Sequence, residues 1–562
     1  MIADILKSLA EQSATLAVSG LRGSGPAWLA GELAGQQPLL CVVPDEHLIT
    51  LFDQDFCLFS DTQTCQYPAH EIPPYTPLSP DQRVTATRLA SLYQMRAGTA
   101  SVLITSIEAL LRRVIPVEQL TGEAEYLLAG EECDREKLLH NLTGLGYEAV
   151  ALVQSIGDYS VRGGIVDIYP PPFVSEQGQR HDGPIRLDFF GDRVESLRSF
   201  DPFSQRSTGE IEEAILLPVS DIILPPDSPA RRQQMAEHVY RLGEQYGWNS
   251  EKTARIAERA ATGRRFTGME LFLPLFYRGN QRSSATVFDY LPKQTIIFSP
   301  DPEALRQNRD LYLQRVLTNY QAAQELGTPA LPPAELFLTE CELEDHLAQF
   351  RQLLVSDFPH PGMKTAAIPT AGHNLLKQEI ARRRAREGVL TPLNEQIRQW
   401  LEEGDRVIVC CRSPRHTKNL AELLAANHLQ VSPVPLPLRP SDPLAEGERN
   451  VVQLADHPLA NGFSLTRQHT HLLSESELFG AMRLGGKSRR KPPVDAVSFT
   501  ELHDGDVVVH RDHGLGIYRG LQTIELATVR NDFMLIEYRD GDKLYLPVDR
   551  LNLISRYQGF SD

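Results

Sequence analysis

Residues 14–36 read ATLAVSGLRGSGPAWLAGELAGQ. A β-like run, Thr15 to Val18, leads into a glycine-rich turn and then a helix-like segment. That is the setting a phosphate-binding loop requires. Gly20 and Gly25 keep the G-x-x-x-x-G spacing. A working loop continues with Lys, which neutralises the outer phosphates, and with Ser or Thr, whose hydroxyl holds Mg²⁺. Pro26 and Ala27 stand there instead. Proline carries no charge and takes a backbone N–H out of the cradle. The same residues also suit an ordinary strand–helix turn. The cysteines (Cys41, Cys57, Cys65, Cys133, Cys341, Cys410 and Cys411) are odd in number and form no C-x-x-C pair. That argues against a zinc site and a disulfide framework and fits a reducing compartment. His510 and His513 have no third ligand near in sequence, and His513-Gly514 suits a turn. Glu475 and Glu477 are two acids without a cleft to work in. No catalytic residue, metal site or cofactor site is assigned.

Between Asp158 and Ser207 short strand-like runs alternate with turns. Gly191-Asp192 separates two alternating segments, the signature of a β-hairpin. Period-2 alternation places Ile185, Leu187 and Phe189 on one face, and Arg186, Asp188 and Phe190 on the other. An aromatic ring on the polar face is a candidate contact residue. The alternative is that Phe190 packs against a neighbouring element.

The strings RGGIVDIYP (162–170) and RLDFFGDRVESLRSFD (186–201) resemble the UvrA-binding domain shared by the excision-repair protein UvrB and the bacterial transcription-repair coupling factor (Mfd) family. The resemblance implies that Arg162, Arg186 and Phe190 sit where the family contacts UvrA. The arginines would donate bidentate hydrogen bonds to carboxylates, and Phe190 would be the anchor. Arg162 could instead brace the Gly163-Gly164 turn.

In UvrB-like helicases a hydrophobic strand after a D-Y-x-P segment ends in an acidic pair that holds Mg²⁺ and polarises water. Residues 286–303 read TVFDYLPKQTIIFSPDPE, so the strand Thr295–Phe298 runs into Ser299 and Pro300. Asp301 and Glu303 are displaced in register. With the lysine and both acids missing, nucleotide hydrolysis by this part of the chain is rejected. The stretch Gln66 to Met95 is about ten residues too short for the Tyr-rich damage-probing hairpin of UvrB, judged against usual hairpin lengths. Its wording is closer to the coupling factors.

GDVVVHRDHGLGIY (505–518) resembles the RNA-polymerase-interacting domain that coupling factors share with the CarD family. This implies docking on the polymerase β subunit. The docking strand is placed at Arg519, Gly520, Leu521, Gln522, Thr523 and Ile524, where an edge strand could pair with the partner. Leu521 and Ile524 are apolar anchors or core residues. The resemblance is weakest between 335 and 470. It further implies a downstream ATP-driven DNA translocase and a regulatory domain that covers the UvrA-binding surface. This sequence ends before them and is read as the N-terminal half, with ATP, Mg²⁺ and DNA belonging to the motor.

The elements that would position these residues follow from periodicity. PLLCVVP (38–44) and ASVLITS (100–106) are buried-type strands with the helix-like TATRLASLYQM between them. This βαβ rhythm indicates a parallel sheet. A helix runs from Asp301 to Gly327, and a proline cluster at 328–333 marks a boundary. LTPLNEQIRQWLEEGDRVIVCC repeats the helix–strand alternation. GGKSRRKPP (485–493) is a basic tether. Asp540-Gly541 signals a further hairpin. The chain has 562 residues and a formal charge of −17, a balance that disfavours polyanion binding and favours protein partners. The start IADILKSLAEQ lacks a signal peptide's basic and apolar regions, and no run reaches the ~20 apolar residues of a membrane span.

The expected fold is α/β multidomain. A UvrB-like parallel α/β domain (1–122 and 220–334) carries an inserted α+β UvrA-binding domain (123–219). An α/β domain of scaffold type (335–485), a basic linker (486–495) and an all-β, Tudor/SH3-like polymerase-interacting domain (496–562) follow. The expected function is recruitment in transcription-coupled repair by a cytoplasmic bacterial monomer, with UvrA and RNA polymerase as partners. The alternative is a UvrB-like ATP- and damaged-DNA-binding excision-repair helicase. A free-standing CarD-like regulator would explain only the last ~65 residues, about half a usual domain.

Overall fold

The computed structural model describes residues 5, 15–224, 229–277, 283–356, 364–387, 389–442, 449–475, 507–510, 514–526, 529–538, 543–547 and 554–556. The chain divides into two units, 1–482 and 483–562. The start of the chain apart from Ile5, Glu477, the basic tether, His513 and the Asp540-Gly541 turn lie outside the described residues.

A seven-stranded sheet anchors the first unit, in the order Thr365–Ala367, Thr15–Ser19, Arg351–Ser356, Ile296–Ser299, Leu39–Val43, Val102–Ser106, Thr64–Tyr67. Every neighbouring pair is parallel. Strands covered on both faces read as unbroken apolar runs. Leu39–Val43 is buried at every position for that reason. The helix Gln82–Ala97 returns the chain between strands. The Asp81 carboxylate caps its start by accepting from the Arg83 N–H, and Gly98, at φ +75°, ends it.

One expected boundary is displaced. Arg351–Ser356 lies inside the first sheet, between Thr15–Ser19 and Ile296–Ser299, so the first α/β fold continues past 335. The proline cluster does not release the chain. Leu331, Leu336, Phe337 and Leu338 are buried, and the Leu338 N–H donates to the Leu111 carbonyl.

The inserted module opens and closes on one antiparallel pair, Glu125–Leu128 against Glu213–Leu216. Between them lies a six-stranded sheet that includes the hairpin Ile185–Phe190/Arg193–Phe200. A second six-stranded sheet is built from residues 370–474, with Arg406–Cys410 parallel to both Val451–Ala455 and Thr470–Ser474. It shares a core with the first sheet. Phe298 from the first sheet, with Trp28 and Phe59 from the helices that cover it, packs in one cluster with Ile408, Phe463 and Leu472 from the second.

In the second unit the described strands form one antiparallel sheet, ordered Lys543–Pro547, Val529–Glu537, Gly514–Leu526, Val507–His510, Ile554–Arg556. Its described core holds Val508, Tyr518, Met534 and Ile536.

Candidate functional site

The glycine-rich loop leaves the strand Thr15–Ser19 at Gly20, whose φ is +91°. Gly23 has φ +55°, and a Cβ there would stand 2.5 Å from the Gly462 carbonyl oxygen. The loop therefore touches backbone from the second sheet's connection. The Ser24 N–H donates to the Asn461 carbonyl at 3.0 Å. The Ser24 hydroxyl accepts from the Asn461 N–H at 3.1 Å and donates to Asp55 Oδ2 at 2.5 Å. Asp55 Oδ1 accepts from the Ala460 N–H at 2.7 Å. The Arg22 N–H is turned to Thr370 Oγ1 at 2.7 Å, and the Gly25 N–H to the Arg22 carbonyl at 2.9 Å. Donors that would cradle phosphates in a working loop are engaged by protein. Pro26 lies in the first turn of the helix Gly25–Ala34, and Ala27 is buried. Burial pushes the Asp55 carboxyl up to about 6, against the pull of its two hydrogen bonds.

Where the sequence analysis compared an acidic pair, Ser299 ends a fully buried strand and Pro300 follows. Asp301 caps the helix Pro302–Glu325, accepting from the Ala304 N–H at 3.0 Å. Glu303, in that helix's first turn, pairs with Arg306. Both displaced acids have helix-terminus roles.

The hairpin turns at Gly191, φ +63°. Ile185 and Leu187 enter the core, as the alternation requires. A register shift falls between Asp188 and Phe189. Phe189 is half-buried, and Phe190 is 76 % exposed rather than packed on a neighbour.

The arginines differ from expectation. Arg186 already makes a bidentate pair with Asp167, at 2.7 and 2.9 Å, and its side chain is mostly buried. Its Nη1 donates to the Gln205 carbonyl at 3.3 Å, and the guanidinium lies 4.8 Å over the Phe200 ring. The bond to Asp167 raises its pKa further. The fork expected to face a partner is closed inside the module. Arg162 is exposed and donates to the Ala151 carbonyl at 2.7 Å. Arg135, which the sequence did not single out, donates to the Gly163 carbonyl of the Gly163-Gly164 turn at 2.5 Å. A Cβ at Gly164 would come within 2.8 Å of the Phe189 carbonyl oxygen, so that turn lies directly against the Phe190 arm. Phe203, on the turn after Phe200, is 92 % exposed and was also missed.

In the second unit Arg519 and Gly520 form a bulge between the pairs Tyr518↔Ile536 and Leu521↔Met534. Gly520 has φ +86°, and Arg519 Nε donates to Glu537 at 2.7 Å. Residues 521–526 pair on one side with Val529–Met534. The strand on the other side, Val507–His510, reaches only Gly514–Ile517. Among the described residues, 521–526 therefore keeps an open edge. Gln522 is exposed.

Elsewhere, Ser464 Oγ lies 2.7 Å from His471 Nδ1, and His471 Nε2 lies 2.9 Å from Asp405 Oδ2. His373 Nε2 meets the same hydroxyl at 2.8 Å, and Trp400 stacks on His471. The resemblance to a nucleophilic triad is limited to residue type. Ser464 is buried and shared by two imidazoles, and burial lowers the His373 pKa to about 4. This is an internal polar network whose members come from two strands, a helix and the connections at His373 and Asp405, so spacing gave no signal. Glu475, fully buried, accepts from the Arg412 N–H at 2.9 Å and pairs with His416 at the start of the helix Pro414–Ala426.

Comparison with known proteins bears on two of these regions directly. Residues 126–221 match the UvrB interaction domain, and residues 502–558 match the CarD-like/TRCF RID domain. The transcription-repair-coupling factor of Myxococcus xanthus is 30 % identical over 559 residues, covering 96 % of this chain and 45 % of the relative. That of Escherichia coli (strain K12) is 29 % identical over 549 residues, with the same coverages. That of Bacillus subtilis (strain 168) is 24 % identical over 578 residues, covering 99 % of this chain and 46 % of the relative. The chain thus spans slightly under half the length of these curated relatives.

Proposed function

We propose, for a chain whose homologues are the transcription-repair-coupling factors, that its work is recruitment: it links RNA polymerase to nucleotide excision repair. The inserted module presents a surface to UvrA. Phe190 is its anchor, with Arg162 beside it; Arg186 acts by holding the sheet. The second unit docks on the polymerase β subunit along Arg519–Ile524, using the open edge of that strand. The sheet order of this unit supports a small Tudor/SH3-like barrel. The observation that carries the reading is the 76 % exposure of Phe190 on a hairpin inside the matched interaction domain.

The chain makes and breaks no bond in this reading and holds neither ATP nor a metal. ATP-driven translocation, and with it DNA contact, belongs to sequence that the relatives carry beyond the region matched here. The setting is the bacterial cytoplasm, and the chain acts as a monomer. The alternative, a UvrB-like ATP- and DNA-binding helicase, is disfavoured by a loop whose N–H groups at Arg22 and Ser24 point at Thr370 and Asn461. Pull-down with separately purified UvrA and RNA polymerase tests the proposal. Each should be retained without the other. Failure to retain either would refute the recruitment reading for that partner.

A further inference from the structure

A groove in the first unit uses none of the residues assigned above. It is open to the surface and holds about 430 Å³, within the range of small binding sites. One wall is the helix Ser250–Thr262. Lys252, Arg255, Ile256 and Arg259 fall at i, i+3, i+4 and i+7 on it, and so share the face that lines the groove. Pro77, Phe266, Leu271, Phe272 and Pro329 supply apolar lining. Gly268, at φ +80°, lets this lining close up: a Cβ there would stand 3.3 Å from Pro77.

The charges on the rim are uncompensated. Lys252 Nζ is engaged, reaching the Leu326 carbonyl at 3.3 Å and Thr328 Oγ1 at 3.4 Å. Arg255 and Arg259 are exposed, and among the described residues no carboxylate lies within ion-pair distance of either. Two like charges at i, i+4 repel each other. In a chain with 73 acidic and 56 basic residues, an unneutralised pair of guanidiniums over an apolar groove calls for an external anion.

We propose that this groove binds an acidic peptide segment of a partner protein, with one apolar side chain in the groove and carboxylates on Arg255 and Arg259. The apolar lining and the one-sided placement of charge favour a peptide over a nucleic acid, whose backbone asks for cations along its whole track.

Fluorescence anisotropy tests this with three labelled probes: a ten-residue peptide of Glu and Asp around a central Leu-Phe pair, the same peptide with Ser-Ser at its centre, and a ten-nucleotide thymidine strand. The Leu-Phe peptide should bind the full chain at low ionic strength and weaken with salt. Replacing Leu-Phe by Ser-Ser, or combining Arg255→Glu with Arg259→Glu, should weaken binding at least about tenfold, the equivalent of ~1.4 kcal/mol. Arg255→Gln and Arg259→Gln, made singly, keep the test readable if circular dichroism shows the double reversal to be misfolded; each should cost about threefold, half that free energy. Absence of peptide binding would overturn the proposal, as would binding that no arginine variant changes. A thymidine strand bound more tightly than the peptide, and lost in the same variants, would assign the groove to nucleic acid instead.

Discussion

Phe190 and Arg186 share one face of one strand by sequence, yet the structure separates their roles. Phe190 is 76 % exposed, so its loss removes little buried contact. Phe190→Ala should therefore leave thermal stability within about 0.5 kcal/mol, as exposed substitutions do. Under the docking on UvrA proposed above, affinity should fall by more than ~2 kcal/mol, about thirtyfold, as when a buried anchor is truncated. Titration of labelled UvrA checks this, and unchanged affinity would remove Phe190 from the interface. Arg186 behaves oppositely. Its guanidinium satisfies Asp167, a buried carboxylate. Arg186→Ala strands that charge and should destabilise the module by about 3 kcal/mol, the range for a broken buried pair. Urea unfolding of Arg186→Ala beside the double variant with Asp167→Ala separates the two readings: the second substitution should recover much of the loss. If Arg186→Ala keeps full stability but loses UvrA, the arginine is a contact residue after all.

The glycine-rich loop and the connection at 458–463 form one packed element. Gly23 and Ser24 receive backbone from the second sheet, and Asp55 ties both sides together. The proton linkage of Asp55 has a definite sign. Its folded pKa, about 6, lies above the ordinary carboxyl value of 3.8, so the folded state holds the proton more tightly. The associated stability is fully present below the unfolded pKa and is lost as pH rises through about 6. Asp55→Asn keeps an acceptor for the Ala460 N–H and removes the titration. The stability of the native chain relative to Asp55→Asn should therefore fall by up to about 3 kcal/mol between pH 4 and pH 7, as two pKa units imply. Urea unfolding at both pH values measures it; a flat difference would mean that the carboxylate stays ionised. This seal also explains why the boundary at 335 was not legible. Prolines signal a break locally, but the strand Arg351–Ser356 and the cluster around Trp28 and Phe463 are set by packing between distant segments.

Across the molecule, legibility follows the range of the interaction. Parallel strands such as Leu39–Val43 are visible because each residue must be apolar, and the Gly191 hairpin because turn chemistry is local. The brace from Arg186 to Asp167 depends on strand register across 19 residues, and the contact of Asn461 with Ser24 spans 437, so neither leaves a pattern to read. The absence of a lysine at Pro26 is readable in the sequence, but the loop differs from a phosphate cradle by more than one charge. If charge were the whole defect, Pro26→Lys would restore phosphate binding. The structure gives a second obstacle: N–H groups of the loop donate to Thr370 and Asn461, and Gly462 lies where a phosphate cradle would open. A phosphate at this loop would have to displace the backbone of Asn461 and Gly462, next to Phe463, which packs with Trp28 and Phe59. Isothermal titration of the native chain with Mg·ATP should thus give no heat of binding at sub-millimolar concentrations, and Pro26→Lys should give none either. A Pro26→Lys chain that binds ATP, with binding lost again on Gly25→Val, would mean that the second sheet opens readily from the loop and that the missing lysine alone had silenced it.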